Sequence, residues 1–143
     1  MQEVQVEHRY AGPPQAVWDV YTDHANWKDW AGMPSSRVVK TGAPDPNGTG
    51  CVRALGAGAR GVLEEVVDFE PPKRMTYRVV GGIMPLRDHL GEVLFEPDGD
   101  GTRIVWRCRF ESTIPGLGWA LRLGIRAFFA AVLRGLERVH FPA

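Results

Sequence analysis

Apolar and polar residues alternate along some stretches of the chain and follow a helical period along others. Residues Glu3–Ala11 alternate, which is typical of a strand with one buried face. Prolines then end the strand, and apolar residues at helical spacing predict a short helix that begins at Pro14, because a proline suits the first helical turn. We expect Asp23 to cap a second short helix, which carries Trp27 and Trp30.

From residue 35 onward the alternation has a period of two and predicts six further strands. Glycine, proline and aspartate cluster between them, and such short links predict an antiparallel meander. The glycine-rich stretch 56–61 is interpreted as a hairpin turn. The predicted strands are Arg37–Thr41, Cys51–Leu55, Val62–Phe69, Met75–Val80, His89–Phe95 and Arg103–Phe110.

The longest helical pattern opens after Pro115 and runs to about Val139. Its apolar residues share one broad stripe, which includes Phe128 and predicts a helix packed on the sheet. Arg122 and Arg126 in its middle make a membrane span costly. The sequence therefore predicts an α+β fold with one domain over residues 1–143: a seven-stranded curved antiparallel sheet around a long C-terminal helix, with two short helices after the first strand.

Composition removes several classes of function. The chain has 143 residues, of which 17 are basic and 17 acidic, and this balance argues against a nucleic-acid binder. Two cysteines make neither a disulfide framework nor a four-ligand metal site, and the four histidines show no metal-ligand spacing. No phosphate-binding or dinucleotide motif occurs, so we expect no cofactor. The charged, alternating start and the lack of a long apolar run predict a cytoplasmic protein without a transmembrane segment.

Four stretches and the order of the elements resemble a known group of proteins. The stretches are P-P-Q-A-V-W-D-V-Y-T-D-H-A-N-W-K-D-W (13–30), G-T-G-C-V-R (48–53), E-E-V-V-D-F-E-P-P-K-R-M-T-Y-R-V (64–79) and D-G-D-G-T-R-I-V-W (98–106). The chain resembles the helix-grip proteins of the START-like (SRPBCC) superfamily, and within it the bacterial polyketide cyclase/dehydrase and lipid-transport branch. The resemblance implies a cavity between sheet and long helix that holds an apolar small molecule.

Strand alternation identifies polar candidates that face such a cavity. His89 is on the inner row of its strand, where its imidazole can donate to a ligand carbonyl or act as acid or base. Gly91 on the same row is expected to leave volume for a ligand beside it. The hydroxyl of Tyr77 can orient a polar ligand end, or it is simply satisfied within the core.

Arg53 and Glu64 form a second candidate pair. Glu64 and Glu65 are adjacent and must face opposite sides, so one of them is expected inside the sheet. An inward Arg53 would be its ion-pair partner. The pair is then either structural or a polar site for ligand binding, at which Arg53 clamps an anion or a carbonyl.

Three aromatic residues complete the candidate ligand contacts. Trp106 shares the inner row of the last strand, where it either belongs to the core or stacks on a ligand. Phe128 lies on the apolar stripe of the long helix, and Trp30 is expected to line the cavity entrance. Trp119 lies instead on the basic side of the helix, where it contacts a membrane, a second subunit or the Gly82–Leu86 loop.

Three functions fit these patterns. The leading hypothesis is the binding of a small hydrophobic ligand, of lipid, aromatic or polyketide-like character. The alternatives are a polyketide cyclase/dehydratase that uses Arg53, His89 or Tyr77, and a membrane- or partner-interaction protein, including a homodimer, that uses the basic helix face.

Overall fold

The computed structural model describes residues 1–56 and 61–142, and its elements follow the predicted order. All neighbouring strands are antiparallel, and they form one sheet in the order β1-β7-β6-β5-β4-β3-β2. The turn predicted over 56–61 lies largely outside the described residues. The elements are β1 (Gln2–Tyr10), α1 (Pro14–Tyr21), a 3-10 helix (His24–Asp29), β2 (Ser35–Lys40), β3 (Val52–Gly56), β4 (Val62–Glu70), β5 (Arg74–Gly82), β6 (Leu86–Asp98), β7 (Gly101–Ser112) and α2 (Gly118–His140).

The short helices differ from the prediction in one detail. Pro14 does open α1, as predicted. The second short helix is of the 3-10 type, and Asp23 lies at its N-cap position as predicted, but the Asp23 side chain makes no capping hydrogen bond to the backbone. The Asp23 carboxylate instead accepts a hydrogen bond from Asn26 Nδ2 at 2.7 Å, because a side chain three residues ahead is in reach on so tight a helix.

Strand β6 begins three residues before the predicted start at His89, because a bulge interrupts the alternation there. Arg87 pairs with Glu111 and Leu90 pairs with Arg109, so two residues of β6 oppose one of β7. Asp88 adopts a φ of 52° at this point, in the left-handed region. The bulge bends β6 and still leaves His89 on the inner face.

The inner face of the sheet carries an aromatic core. The predicted inner row of β7, from Ile104 through Trp106 and Cys108 to Phe110, is at most 4% exposed. Tyr21 of α1 meets Trp27 and Trp106 edge to face, with ring centroids 5.1 and 5.6 Å apart. This core fills one end of the space under the sheet.

Helix α2 covers the core with only one of its halves. Every buried residue of α2 lies between Phe129 and Leu136. Tyr10 of β1 donates a hydrogen bond to the Leu133 carbonyl at 2.7 Å, and Gly135 lies so close to the Trp30 carbonyl that a Cβ there would overlap it. Residues 118–128 include no buried residue, and only Leu121 and Ile125 among them pack partly against the core.

Candidate ligand-binding cavity

A cavity of about 380 Å³ lies between the N-terminal half of α2 and the inner face of strands β3 to β6. Its walls are mostly apolar, with Leu121 and Ile125 on the helix and Leu55 and Val79 on the sheet. Phe128 lines it and is 41% exposed, so the cavity communicates with solvent at this edge. Ligand sites in proteins have this character: concave, apolar and a few hundred Å³ in volume.

Three residues bring polar side chains to the wall, among the parts of the chain that the structure describes. They are Glu64 on β4, Tyr77 on β5 and His89 on β6. Because these strands are neighbours, the three side chains meet on one side of an otherwise apolar cavity. These are three of the polar residues that the sequence singled out.

Glu64 is held by a buried arginine. Arg53 on β3 has no exposed surface, and its Nε and Nη2 donate to Glu64 Oε1 at 3.0 and 2.8 Å. The guanidinium carbon lies 4.6 Å from the Trp27 ring centroid and 4.9 Å from that of Tyr77, so two aromatic faces hold it as well. The predicted ion pair is confirmed, and Glu65 faces outward to Arg78 at 2.7 Å.

His24, which sequence reasoning did not select, fixes the other side of Arg53. Its Nδ1 lies 3.0 Å from Arg53 Nη1, and its Nε2 lies 3.0 Å from the Asn47 carbonyl. An arginine only donates and a carbonyl only accepts, so Nδ1 accepts and Nε2 carries the proton. Burial and the Arg53 charge lower the pKa of His24 to about 3, and the ring is neutral at physiological pH.

Tyr77 belongs to the core more than to the cavity. Trp106 Nε1 donates to its hydroxyl at 2.7 Å, and the residue is only 1% exposed. Burial keeps the pKa of Tyr77 well above its usual value, so the group stays a neutral hydroxyl. The expectation that Gly91 leaves room for a ligand is wrong, because a Cβ at position 91 would overlap the Tyr77 ring, which fills that volume.

His89 points a hydrogen-bond donor at the cavity. Its Nδ1 accepts the backbone N–H of Val79 at 3.2 Å, so the proton of a neutral ring is on Nε2. Burial lowers the pKa of His89, which favours this neutral form. Nε2 has no hydrogen-bond partner within 1–56 and 61–142, and it is therefore available to an occupant of the cavity.

The aromatic candidates divide between cavity and core. Phe128 lines the cavity, whereas Trp106 lies behind it and stacks on Phe129 with ring centroids 3.9 Å apart. Trp30 does not line the entrance, contrary to expectation. It is 3% exposed and lies beneath the C-terminal half of α2, 5.3 Å from the Trp27 ring, because the 3-10 helix carries it to the packed end.

Trp119 is not buried under the loop at 82–86. It is 61% exposed, and Leu123 one turn later is 52% exposed. The two side chains follow one another on the outer face of α2.

A wider concavity of about 530 Å³ lies on the opposite face of the sheet. Its wall is charged, and three of its ions pair with one another: Glu92 accepts from Arg74 at 2.6 Å and from Arg107. A surface of satisfied ion pairs is typical of a solvated sheet face, so the cavity under α2 is the better ligand site.

The fold and this cavity define the class of protein. A curved antiparallel sheet that grips a long C-terminal helix is the helix-grip fold of START-like proteins, as the resemblance implied. The model of the family described as polyketide cyclase/dehydrase and lipid transport matches residues 1–140, and the chain belongs to this family.

Solved structures agree with the fold over nearly the whole chain. A START superfamily protein from Mycobacterium smegmatis has a TM-score of 0.80 at 11% identity, with 95% of this chain and 94% of that chain covered. The protein XoxI from Bacillus cereus gives 0.79 at 16%, covering 96% and 94%. A crystal structure of a protein from Thermus thermophilus gives 0.72 at 25%, covering 96% and 95%. No curated protein matches the chain.

The described residues contain neither a candidate membrane span nor a candidate metal site. None of the helices there is long and apolar enough to cross a membrane. Within residues 1–56 and 61–142, no three His, Cys, Asp or Glu side chains are grouped as a metal site requires.

Proposed function

We propose that the chain binds a small apolar molecule in the cavity under α2, with one polar group of the ligand at Glu64 and His89. The observation that carries the proposal is the distribution of polarity. The described part of the wall is apolar except for one side, where a hydrogen-bond acceptor on β4 and a donor on β6 flank strand β5. A pocket of this kind takes its affinity from apolar burial and its orientation from the few polar groups.

Size and charge agree with this proposal. The cavity volume is within the range of about 300–1,000 Å³ that is usual for small-molecule sites, and it exceeds what a buried water needs by more than an order of magnitude. Arg53 and Glu64 cancel each other's charge. The interior therefore suits a neutral molecule more than an ion.

The test identifies any molecule that the protein retains and then blocks the cavity by substitution. Native mass spectrometry of the purified protein, followed by solvent extraction, identifies any retained lipid, quinone or polyketide-like molecule. Binding is then measured with N-phenyl-1-naphthylamine, a neutral apolar dye that fluoresces when it leaves water. We expect saturable binding of one dye per chain.

Two phenylalanine substitutions on α2 locate the bound dye. A Cβ at Gly124 meets no atom within 4 Å and the residue lines the cavity, so Gly124→Phe is expected to fill the space and abolish binding. Ala127→Phe adds the same ring at an exposed position of the same helix and should leave binding intact. Equal binding by both variants would place the dye elsewhere and refute the proposal.

A second candidate function is catalysis, and the same acceptor and donor favour it. Glu64 Oε2 can take a proton from the carbon next to a ligand carbonyl. The electron pair of the broken C–H bond then moves to the carbonyl oxygen, where the His89 Nε2–H stabilises the enolate. Such an enolate is the nucleophile of an aldol cyclisation.

Deuterium exchange tests the catalytic candidate without knowledge of the substrate. 2-Acetylnaphthalene carries a weakly acidic methyl group beside its carbonyl, and NMR in heavy water follows the loss of its methyl signal. Catalysis predicts exchange above the buffer rate that disappears in Glu64→Gln while dye binding persists. Exchange at the buffer rate in the native protein would leave binding as the function.

A further inference from the structure

The polar side of the cavity has a fixed hydrogen-bonding polarity. This inference rests on the proposed function and names the chemical class of ligand that the site takes. Two groups meet the ligand there, the His89 imidazole and the Glu64 carboxylate, since Tyr77 is only 1% exposed. Each of them is held by a hydrogen bond on the side away from the cavity, so neither can switch between donor and acceptor when the ligand changes.

His89 is fixed as a donor. The Val79 amide donates to its Nδ1 at 3.2 Å, and a main-chain N–H cannot reverse its direction. A neutral imidazole that accepts at Nδ1 carries its hydrogen at Nε2, which is the atom left for the cavity. The ring would have to give up the Val79 hydrogen bond to present an acceptor instead.

Glu64 is fixed as an acceptor. Its Oε1 takes both hydrogen bonds from Arg53, and its Oε2 has no partner within the residues that the structure describes. Arg53 is in turn held by His24 Nδ1 at 3.0 Å, so the chain His24–Arg53–Glu64 ends at one unused carboxylate oxygen.

A negatively charged ligand group finds no counter-ion among the residues that the structure describes at this wall. The lining of the cavity, as far as residues 1–56 and 61–142 form it, includes neither lysine nor arginine. The Arg53 charge is already paired and lies behind Glu64. A ligand carboxylate beside His89 would therefore lie close to the Glu64 carboxylate, and two like charges in a poorly solvated site repel.

We propose that the cavity selects apolar molecules that end in a neutral hydroxyl, an alcohol or a phenol, which donates to Glu64 Oε2 and accepts from His89 Nε2–H. A ketone or an ether satisfies only the donor. A ligand carboxylate accepts the hydrogen bond from His89 but is repelled by the Glu64 carboxylate. The hydroxyl is the smallest group that pairs with both.

Three naphthalenes of similar size separate these cases. 2-Naphthol donates and accepts, 2-methoxynaphthalene only accepts, and 2-naphthoate is an anion at neutral pH. Each is titrated against bound N-phenyl-1-naphthylamine, with naphthalene as the apolar reference. A hydrogen bond to a charged group is worth about tenfold or more in affinity, so we expect naphthol to bind at least about 10-fold tighter than the ether and the naphthoate to bind weakest.

Two substitutions assign the selectivity to the two residues. In His89→Phe the ether should lose its advantage over naphthalene, while the naphthol-to-ether ratio stays near its native value. In Glu64→Gln the naphthol-to-ether ratio should fall towards one and the naphthoate should gain. If Glu64→Gln does not fold, as its circular dichroism would reveal, the native ligand series and His89→Phe still decide.

The outcomes separate this proposal from the one it rests on. Equal displacement by naphthol, ether and naphthoate, or the tightest binding by naphthoate, would overturn the selection of a hydroxyl and leave apolar binding in place. Absence of dye and naphthalene binding in the native protein would overturn both.

Discussion

The two halves of helix α2 share one apolar stripe in the sequence and do different work in the structure. From Phe129 to Leu136 the stripe is buried against the sheet and the short helices. From Gly118 to Phe128 the same stripe faces a cavity, and none of these residues is buried. We call these regions the packed end and the cavity end. Packing that stabilises the fold and space for a ligand are therefore divided along a single helix.

The largest expected effect comes from the buried ion pair where the two ends meet. Arg53→Met leaves Glu64 without a partner behind the cavity wall, and we expect a loss of about 3–5 kcal/mol in the free energy of unfolding. Arg78→Met breaks the neighbouring pair with Glu65, in which the arginine side chain is 57% exposed, and should cost less than about 1 kcal/mol. Urea titration measures both. Equal losses would mean that the buried pair does not support the packed end.

A matched pair of glycines tests the comparison within α2 itself. At Gly135 a Cβ would overlap the Trp30 carbonyl oxygen, and we expect Gly135→Ala to cost about 2 kcal/mol through overpacking. At Gly124 a Cβ meets no atom within 4 Å, so Gly124→Ala should stabilise the helix by up to about 1 kcal/mol. Thermal unfolding of the two variants is the measurement. A destabilised Gly124→Ala would contradict the open cavity end.

The pH dependence of stability tests the neutral state of His24 at the packed end. Its pKa is lowered from 6.5 to about 3 in the folded chain, so between these values the unfolded chain binds a proton that the folded chain does not. Stability should therefore fall as the pH drops below 6.5, with His24 contributing up to about 1.4 kcal/mol per pH unit.

Substitution isolates this contribution from those of other titrating groups. Asparagine offers Arg53 an acceptor near the position of Nδ1 and does not titrate, so His24→Asn should flatten the curve between pH 4.5 and 6.5. His140→Asn, at an exposed histidine, is the control. An unchanged slope in His24→Asn would show that His24 takes up its proton in the folded state as well.

The smallest effect is expected on the outside of the cavity end. Trp119 is 61% exposed, and Trp119→Glu should change the free energy of unfolding by less than about 0.5 kcal/mol. Chemical denaturation checks this value. Vesicle co-sedimentation of the same folded variant then measures whether the exposed side of α2 at Trp119 binds a membrane. Lost vesicle binding at unchanged stability would assign Trp119 to a surface contact, whereas lost stability would show that it packs.

The sequence predicted the elements because their signals are local. Alternation and helical spacing predicted the seven strands and α2. Glu64 and Glu65 are adjacent in a strand, so one of them had to face inward. His24 gave no such signal, since its partner Arg53 is 29 residues away and the bond depends on how a 3-10 helix packs under β3.

Local sequence patterns also could not show where the space for a ligand lies. Gly91 was expected to leave a gap, but a gap depends on the side chains opposite, and the Tyr77 ring fills it. The same stripe of α2 is buried in one half and open in the other because periodicity identifies a face of a helix without revealing what lies against it.

The chain from His24 through Arg53 to Glu64 has a consequence for how this protein can change over evolution or in design. Phe128 can be exchanged on its own, because it lines the cavity, is 41% exposed and lies outside the packed end. Replacement of Glu64 leaves the buried Arg53 charge without its counter-ion, so it costs stability unless Arg53 and His24 change as well. One substitution can therefore adapt the cavity to a ligand of a different shape, whereas a ligand with a different polar end group requires several substitutions at once.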